Sequence, residues 1–400
     1  MTFEQSSPPQ SWDRTGLPAW SFFSEEMLSL EKDVLFRGHW QAVCHINDIP
    51  NAGDFVTLDF VGERALVIRG RDGEARAFHN LCRHRGSRVV AEHSGTCKSA
   101  IICPFHGWAY NLDGTLRGAA QPASLPQLDP VQMGLKPLQM DIWNGFVFVR
   151  FKPGPQPKIS DLMRRFASEL SQYDLADMVP DGNGFWTTEV EANWKCVRDV
   201  DNEGYHVPMA HPGLADLFGD NYYDEPFTDG ASRSFSKFRE GAARLWSVRN
   251  YKNIMHPPHR LDDDHKQAWL YIGMFPNLVF GIYPDSVIFY QEFPLANGKT
   301  IQRGATYRFK DEDRRMRLAR YLSMRIDRIT SKEDEQLIEW TWEAAFSSGY
   351  DGVMLSDLEY GVKTYHDALR KLFPVLVETE PPAGTLAARN AVLLSQTQAD

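Results

Sequence analysis

Long apolar runs are missing from this sequence. No stretch approaches the roughly 20 residues needed to cross a bilayer, and Met1–Trp20 is polar and proline-bearing, without the apolar core of a signal peptide. A membrane association is therefore not expected, and the chain reads as cytoplasmic. Excess positive charge is missing too. Lys and Arg number 43 against 53 Asp and Glu, a formal net charge of -10, whereas a nucleic-acid binder would show a basic stripe. No nucleic-acid partner is expected. Cysteine is scarce. The five residues Cys44, Cys82, Cys97, Cys103 and Cys196 are an odd, sparse set that does not suggest a disulfide framework. Metal binding is then the sharper reading for any cysteine near histidines. There is no internal repeat and no low-complexity block. Nor does a strand run into G-x-G-x-x-G, which argues against a dinucleotide site of the Rossmann kind.

What is present is ordinary for a globular protein: 42% hydrophobic and 24% charged residues. A chain of 400 residues exceeds what one core usually holds, so two domains are expected. Residues 22–37 carry apolar side chains at helical spacing, with Ser24 as N-cap. From Trp40 to Phe151 the pattern becomes short β-like runs such as DFVTLDFV, RALVIRG, SAIICPF and GFVFVRF, divided by turn signals at Asn51–Gly53, Arg71–Gly73 and Asp113–Gly114. Lys152–Pro157, KPGPQP, reads as a linker. Beyond Ile159 helical segments (160–173, 313–330, 332–346, 355–372) mix with strands (185–191, 269–281, 286–293, 300–309), which predicts an α+β domain with an antiparallel sheet. The resulting division is 1–38 (arm and helix), 39–152 (all-β domain), 153–380 (second domain) and 381–400 (a small, polar, mobile tail).

Two short motifs in the β-rich part carry metal chemistry. C-R-H-R-G supplies Cys82 and His84; C-P-F-H-G-W supplies Cys103 and His106. Gly86 and Gly107 allow the backbone to turn tightly at each. A zinc with two Cys and two His ligands is one fit, and a 2Fe–2S cluster with two histidines on one iron is the other. Zinc fingers commonly pair like ligands within a loop. Here each loop offers one of each kind, which suits one iron on Cys82 and Cys103 and the other on His84 and His106. His93 and Cys97 lie between the loops without a ligand partner and read as structural. The segments NLCRHRGSRV and CPFHGWAYNLDGTLRG resemble the cluster-binding loops of the Rieske domain in ring-hydroxylating and related oxygenases. The resemblance implies cluster-ligand roles for Cys82, His84, Cys103 and His106, with Trp108 and Tyr110 shielding the cluster.

The second domain opens with NWKCVRDVDNEGYHVPMAHPG. His206 and His211, with Pro208 between them to end any helix, can converge on one metal. Two histidines and one carboxylate form the ligand set of a mononuclear Fe(II) with open positions. The resemblance implies that a later acidic helix supplies the carboxylate. Asp334 matches best, with Glu333 and Glu335 as alternatives. An acidic first turn is otherwise merely favoured by the helix dipole. The family carries an acid, most often Asp, three positions before the first histidine, and Glu203 stands there. It implies a bridging role for Glu203, linking an iron histidine to a cluster histidine of the next subunit. The Asp-to-Glu departure is similar to carnitine and proline-betaine oxygenases. Asn193, Trp194 and Lys195 match the family's entry to this helix and read as structural.

The similarity spans about residues 17–375 and implies a Rieske β-domain joined to a helix-grip catalytic domain, working as a homotrimer. Its cofactors would be a 2Fe–2S cluster and Fe(II). Without a dinucleotide motif, electrons would come from a separate NAD(P)H-dependent reductase, and O2 and a small molecule would be the substrates. The DNEGYHVPMAHPG phrase is most similar to the proline-betaine (stachydrine) demethylase group. Aromatic-ring hydroxylation and aryl O-demethylation are the alternatives within the family, and a Rieske electron carrier lacking catalytic iron the alternative outside it. A quaternary cation would suit an aromatic cage. Trp246, Tyr251, Phe280, Tyr283, Phe289 and Tyr290 lie in the segment for it, and Arg249 or Lys252 could meet an anionic end.

Overall fold

Extended runs between turns dominate the first part of the chain, and the computed structural model turns each into a strand. It describes residues 8–350 and 352–397. Within them the chain divides into two units. One comprises Phe36–Asp161 and Asp174–Gly182; the other comprises the N-terminal segment to Leu35, Leu162–Tyr173 and the chain from 183 onward.

In the first unit, strands β1 (Gln41–His45), β2 (Asp54–Phe60), β3 (Glu63–Arg69), β4 (Ala75–His79), β5 (Ser94–Thr96), β6 (Ile101–Ile102), β7 (Ala109–Tyr110), β8 (Leu116–Gly118), β9 (Gln139–Trp143) and β10 (Phe146–Arg150) form three sheets. Their orders are β1-β10-β9, β4-β3-β2-β5 and β6-β7-β8. Two-residue hairpins set the register where both central residues reach positive φ: Val61–Gly62 aligns Phe60 with Glu63, and Asn144–Gly145 aligns Trp143 with Phe146. The core gathers Phe55, Leu66, Ile68, Phe78, Trp108 and Tyr110 around Cys82 and Cys103. The expected linker is not free. Arg150 donates to the carbonyls of Gly154 and Gln156 (both 3.0 Å), and Trp40 Nε1 donates to Pro157 O (2.8 Å).

The second unit holds most of β11 (Val179–Val190) and all of β12 (Tyr222–Thr228), β13 (Ala231–Lys237), β14 (Ala268–Met274), β15 (Leu278–Ile282), β16 (Ser286–Ala296) and β17 (Lys299–Arg308) in one sheet, ordered β11-β17-β16-β15-β14-β13-β12. Neighbours from β17 to β12 pair antiparallel. This is the α+β architecture expected from the strand and helix order. Helix Arg314–Ala344 packs Ala319, Leu322 and Ile326 into a core with Trp269, Tyr283, Tyr251 and Phe218. No helix among the described residues is long and apolar enough to cross a membrane.

Several local expectations change. The separate helices expected over 313–330 and 332–346 are one helix, capped by Asp313, whose side chain accepts from Met316 N–H (2.8 Å). No glycine or proline interrupts it, and Ser331 satisfies its hydroxyl on the carbonyl of Asp327 (3.0 Å) rather than capping a new start. Ser24 does cap a helix, accepting from Met27 N–H (3.1 Å), but the helical segment after it widens into π geometry over Glu31–Phe36. The polar tail folds as a helix, Leu386–Thr397, because the buried Asn390 accepts from Val375 N–H (3.4 Å) and donates to Leu372 O (3.2 Å).

The N-terminal segment is an integral part of the second unit, not a separate arm. Glu31, 1% exposed, receives Lys195 Nζ at 2.7 Å and Trp194 Nε1 at 2.8 Å. Asn193 caps the helix Trp194–Val200 by accepting from Lys195 N–H (2.9 Å) and donates to Phe22 O (3.0 Å). The NWK triplet is thus structural. Breaking a buried pair strands a charge at a cost of about 3–5 kcal/mol. Lys195→Met should therefore lower stability by about that amount in urea unfolding; a loss below about 1 kcal/mol would show that Glu31 is carried by other groups.

Candidate metal centres

The two cysteine-bearing loops are built alike. In each, the glycine four residues after the cysteine donates to the cysteine carbonyl: Gly86 to Cys82 O at 2.9 Å and Gly107 to Cys103 O at 3.0 Å. Each cysteine N–H donates one residue further on, Cys82 to Ser87 O (2.7 Å) and Cys103 to Trp108 O (2.8 Å). Gly86 and Gly107 take φ of 73° and 69°, the left-handed region that a side chain would strain. Asn80, fully buried, braces the first loop. Its carbonyl accepts from Val89 and Val90 N–H (3.1 and 3.2 Å) and its amide donates to Val90 O (2.9 Å).

These turns sort the ligands by depth. Cys82 and Cys103 are buried, His84 is exposed and His106 half-buried. The imidazoles lie side by side, ring centroids 4.7 Å apart, and Trp108 stacks on His84 at 5.0 Å and 7°. Tyr110 was expected only to shield. Its oxygen accepts from Arg83 N–H (2.9 Å), which leaves its own proton to point at Cys82 Sγ, 3.3 Å away. Burial pushes the Cys82 thiol up, opposed by Tyr110 and the His84 backbone, and the nearby Cys103 raises it further. Two adjacent buried sulfurs with two imidazoles at the rim suit a 2Fe–2S group with two histidines on one iron.

The second constellation forms where short helices meet the long one. Pro208 does not end a helix; it stands in the first turn of Val207–Ala210, and His211 begins the next, Pro212–Phe218. Proline fits there because its missing N–H would be unsatisfied anyway. Gly204 lets the chain pass close to Tyr222, whose ring a Cβ would meet at 2.0 Å. Glu203 Oε1 then accepts from His206 Nδ1 at 2.5 Å, and its other oxygen accepts from the N–H groups of Tyr205 and His206 (3.1 Å for His206). On the other side, Glu333 Oε2 lies 3.0 Å from His211 Nδ1. Glu333, weighed in sequence as an alternative ligand, instead orients a histidine.

Because each Nδ1 donates to a carboxylate, each Nε2 presents a lone pair. The two Nε2 atoms are 3.1 Å apart, and Asp334 Oδ1 is 2.9 Å from that of His211 and 3.6 Å from that of His206. The three ligand atoms lie within 4.8 Å of one another. Asp334 Oδ1 is buried with no hydrogen-bond donor. Three converging lone pairs repel unless a cation stands among them, so the residues fit a metal of the two-histidine, one-carboxylate kind. Burial opposes charge on His206, but the Glu203 hydrogen bond and charge, with Asp334 and Asp201, raise its pKa overall.

Most of the expected cage is elsewhere. Trp246 is 59% exposed, and Tyr251, Phe280 and Phe289 are sealed in the core. Arg249 is spent on Arg244 O (3.1 Å), and Lys252 on Arg239 O (2.6 Å) and Gly241 O (3.0 Å). Tyr283 is sealed as well, 1% exposed, with its hydroxyl on Asp327, and the half-buried Tyr290 reaches Asp201.

Comparison with known proteins follows the same division. Residues 39–129 match the family model for the Rieske [2Fe-2S] domain, and residues 180–374 that for the ring hydroxylating alpha subunit (catalytic domain). The carnitine monooxygenase oxygenase subunit of Escherichia coli (strain K12) is 27% identical over 392 residues, covering 92% of this chain and 96% of that one. The glycine betaine monooxygenase oxygenase subunit of Pseudomonas aeruginosa (strain UCBPP-PA14) is 30% identical over 233 residues, 58% of this chain and 52% of that one. The solved structure of a quaternary ammonium Rieske monooxygenase in complex with an inhibitor aligns with TM-score 0.74 at 25% identity, covering 89% and 94% of the two chains. Naphthalene 1,2-dioxygenase from Rhodococcus sp. shares the fold, with TM-score 0.72 at 19% identity over 92% and 95%.

Two outcomes are expected. His106→Ala should abolish the visible and electron-spin-resonance signature of the cluster while leaving iron loadable at the other site, since the two sets share no ligand; an intact cluster would overturn the ligand set. Glu333→Gln should weaken metal binding about 10–100-fold, read by iron content after dialysis, because the amide oxygen can accept from His211 Nδ1 but brings no negative charge to strengthen the ring as a ligand and can flip to present its NH2. Unchanged retention would make Glu333 a bystander.

Proposed function

The chain belongs to the Rieske oxygenases, with a Rieske [2Fe–2S] domain ahead of a ring-hydroxylating alpha-subunit catalytic domain, and on that premise we propose that it is the oxygenase component of a monooxygenase for quaternary ammonium compounds. In this reading Cys82, His84, Cys103 and His106 hold the cluster, and His206, His211 and Asp334 hold the iron. Glu203 couples the two centres. The domain limits are proposed as 39–152 for the cluster and 153–380 for the iron. When bound, the cluster relays single electrons and the Fe(II) supplies dioxygen activation.

The chain's own residues do the positioning. Glu203 holds a proton on His206 Nδ1, and Glu333 does the same for His211, so both rings are oriented with Nε2 toward Asp334. Tyr110 steadies the Cys82 sulfur. Electrons come from a separate NAD(P)H-dependent reductase. His84 lies at the surface of its unit, where a second copy of the chain in a trimer could approach it.

The observation that carries the substrate class is the likeness to the carnitine oxygenase subunit along nearly the whole chain, 92% of it, together with glutamate at position 203. The finer reading is oxidative N-demethylation of a betaine such as proline betaine. Hydroxylation of an N-methyl group gives a hemiaminal, which collapses to formaldehyde and the demethylated amine, its nitrogen keeping the electron pair of the broken C–N bond. With NADH, reductase and iron, proline betaine should yield one formaldehyde per O2 consumed. Oxygen uptake with carnitine or glycine betaine alone would keep the class and replace the substrate. Uptake only with aromatic acids, giving a phenol or diol and no formaldehyde, would overturn both.

A further inference from the structure

Two buried carboxylates near helix Arg314–Ala344 are treated differently by the chain. Asp285, 1% exposed, accepts from three hydroxyls: Ser323 (2.6 Å), Ser286 (3.2 Å) and Tyr251. It is satisfied from within. Asp327 receives only Tyr283, whose hydroxyl lies 3.2 Å from Oδ1. Unlike its neighbour Ile326, which is sealed, Asp327 keeps accessible surface. Among the described residues no lysine, arginine or histidine pairs with it. The charge bearing on it is that of Asp285, and burial followed by that repulsion pushes its pKa up to about 8. Such an acid keeps its proton at neutral pH until a positive charge arrives beside its open oxygen, and it ionises against that charge.

Its surroundings indicate what that is. Tyr283 stacks on Trp269 (4.1 Å, 16°) and meets Tyr271 edge-on (5.8 Å, 77°), their hydroxyls 3.2 Å apart. Tyr271 also keeps accessible surface. After burial, Asp327 is the first charge acting on its phenol, with Asp201 and Asp334 further contributors. Asp327 and Asp334 lie on one helix, about two turns and about 10 Å apart along its axis, hence on the same face. An ammonium centre against Asp327 would fill part of that span.

We propose that Asp327 is the specificity-determining carboxylate of the substrate site, pairing with the positively charged nitrogen of an N-methylated substrate beside the Tyr271 ring, while Tyr283 holds Asp327 from the core side. This rests on the quaternary-ammonium reading above and names the residue that enforces it. A quaternary nitrogen donates no hydrogen bond, so recognition is Coulombic, with the Tyr271 ring adding to it. Asp327→Asn keeps the shape and removes the charge.

The test uses the holoenzyme, wild type beside Asp327→Asn and Asp327→Glu, with two probes of matched shape: choline, and its uncharged carbon isostere 3,3-dimethylbutan-1-ol. Calorimetry should show choline binding weakened at least about tenfold in Asp327→Asn, which corresponds to about 1.4 kcal/mol. The neutral isostere should change by less than about twofold, and Asp327→Glu should recover part of the loss. Unaltered cluster spectrum and iron content would confirm the fold of each variant. Equal loss for both probes, unchanged choline affinity, or no choline binding by the wild type would overturn the assignment. Asp327-dependent choline binding without formaldehyde from any betaine would uphold Asp327 and remove the demethylase reading. Formaldehyde production with unchanged choline affinity in Asp327→Asn would do the reverse.

Discussion

An imidazole can offer a lone pair at one nitrogen only while the other keeps its proton, and that tautomeric constraint organises the catalytic unit. Both candidate iron histidines meet it with a carboxylate on Nδ1, Glu203 for His206 and Glu333 for His211. Each acid also has to be held. Glu203 is held by two backbone N–H groups that the Gly204 turn delivers, and Glu333 by a helix anchored through Ile326, Leu322 and Ala319 in the core. The undonated oxygen of Asp334 follows from the same arrangement, because every nearby ring nitrogen facing it is a lone pair. A cation completes such a set of converging acceptors.

The cluster-type loops solve a related problem by depth instead of tautomer. Burial makes a thiolate expensive, so the sulfurs sit where a metal's charge would be felt most, against Trp108, Tyr110 and Ile101. The imidazoles, which need no such compensation, stand at the rim. The repeated loop hydrogen bonds at Gly86 and Gly107 set this gradient.

The amount legible in sequence followed the range of the interactions. The cluster loops are local, a cysteine, a histidine and a glycine within a few positions, and their geometry could be read directly. Glu203 and the two histidines are nearly as local. Asp334 is readable only through family resemblance, because nothing in the sequence ties the acidic helix to His206. Glu333 reads in sequence as an alternative ligand, whereas its carboxylate stands against His211 Nδ1: neighbours on a helix point about 100° apart, and the facing angle is a tertiary property. The aromatic segment failed for a similar reason. Strand alternation divides residues between two faces but does not say which face keeps open space, and Tyr271 was overlooked while Phe280 and Phe289 proved to be core. Continuity of the helix across Ser331 also required knowing that its hydroxyl turns back onto Asp327 O.

That continuity has an evolutionary side. On the proposed assignments one rigid rod carries both the metal carboxylate and the acid that meets the substrate, so neither can be relocated without dragging the other. A descendant enzyme adapting to a longer or shorter molecule could not stretch the spacing along the rod. Its freedom would lie in the opposing strands β14–β16 and in exchanging the side chain at 327 itself. Substrate range within such a lineage would then drift by changes in width and polarity around a fixed axial distance, a yardstick inherited unaltered.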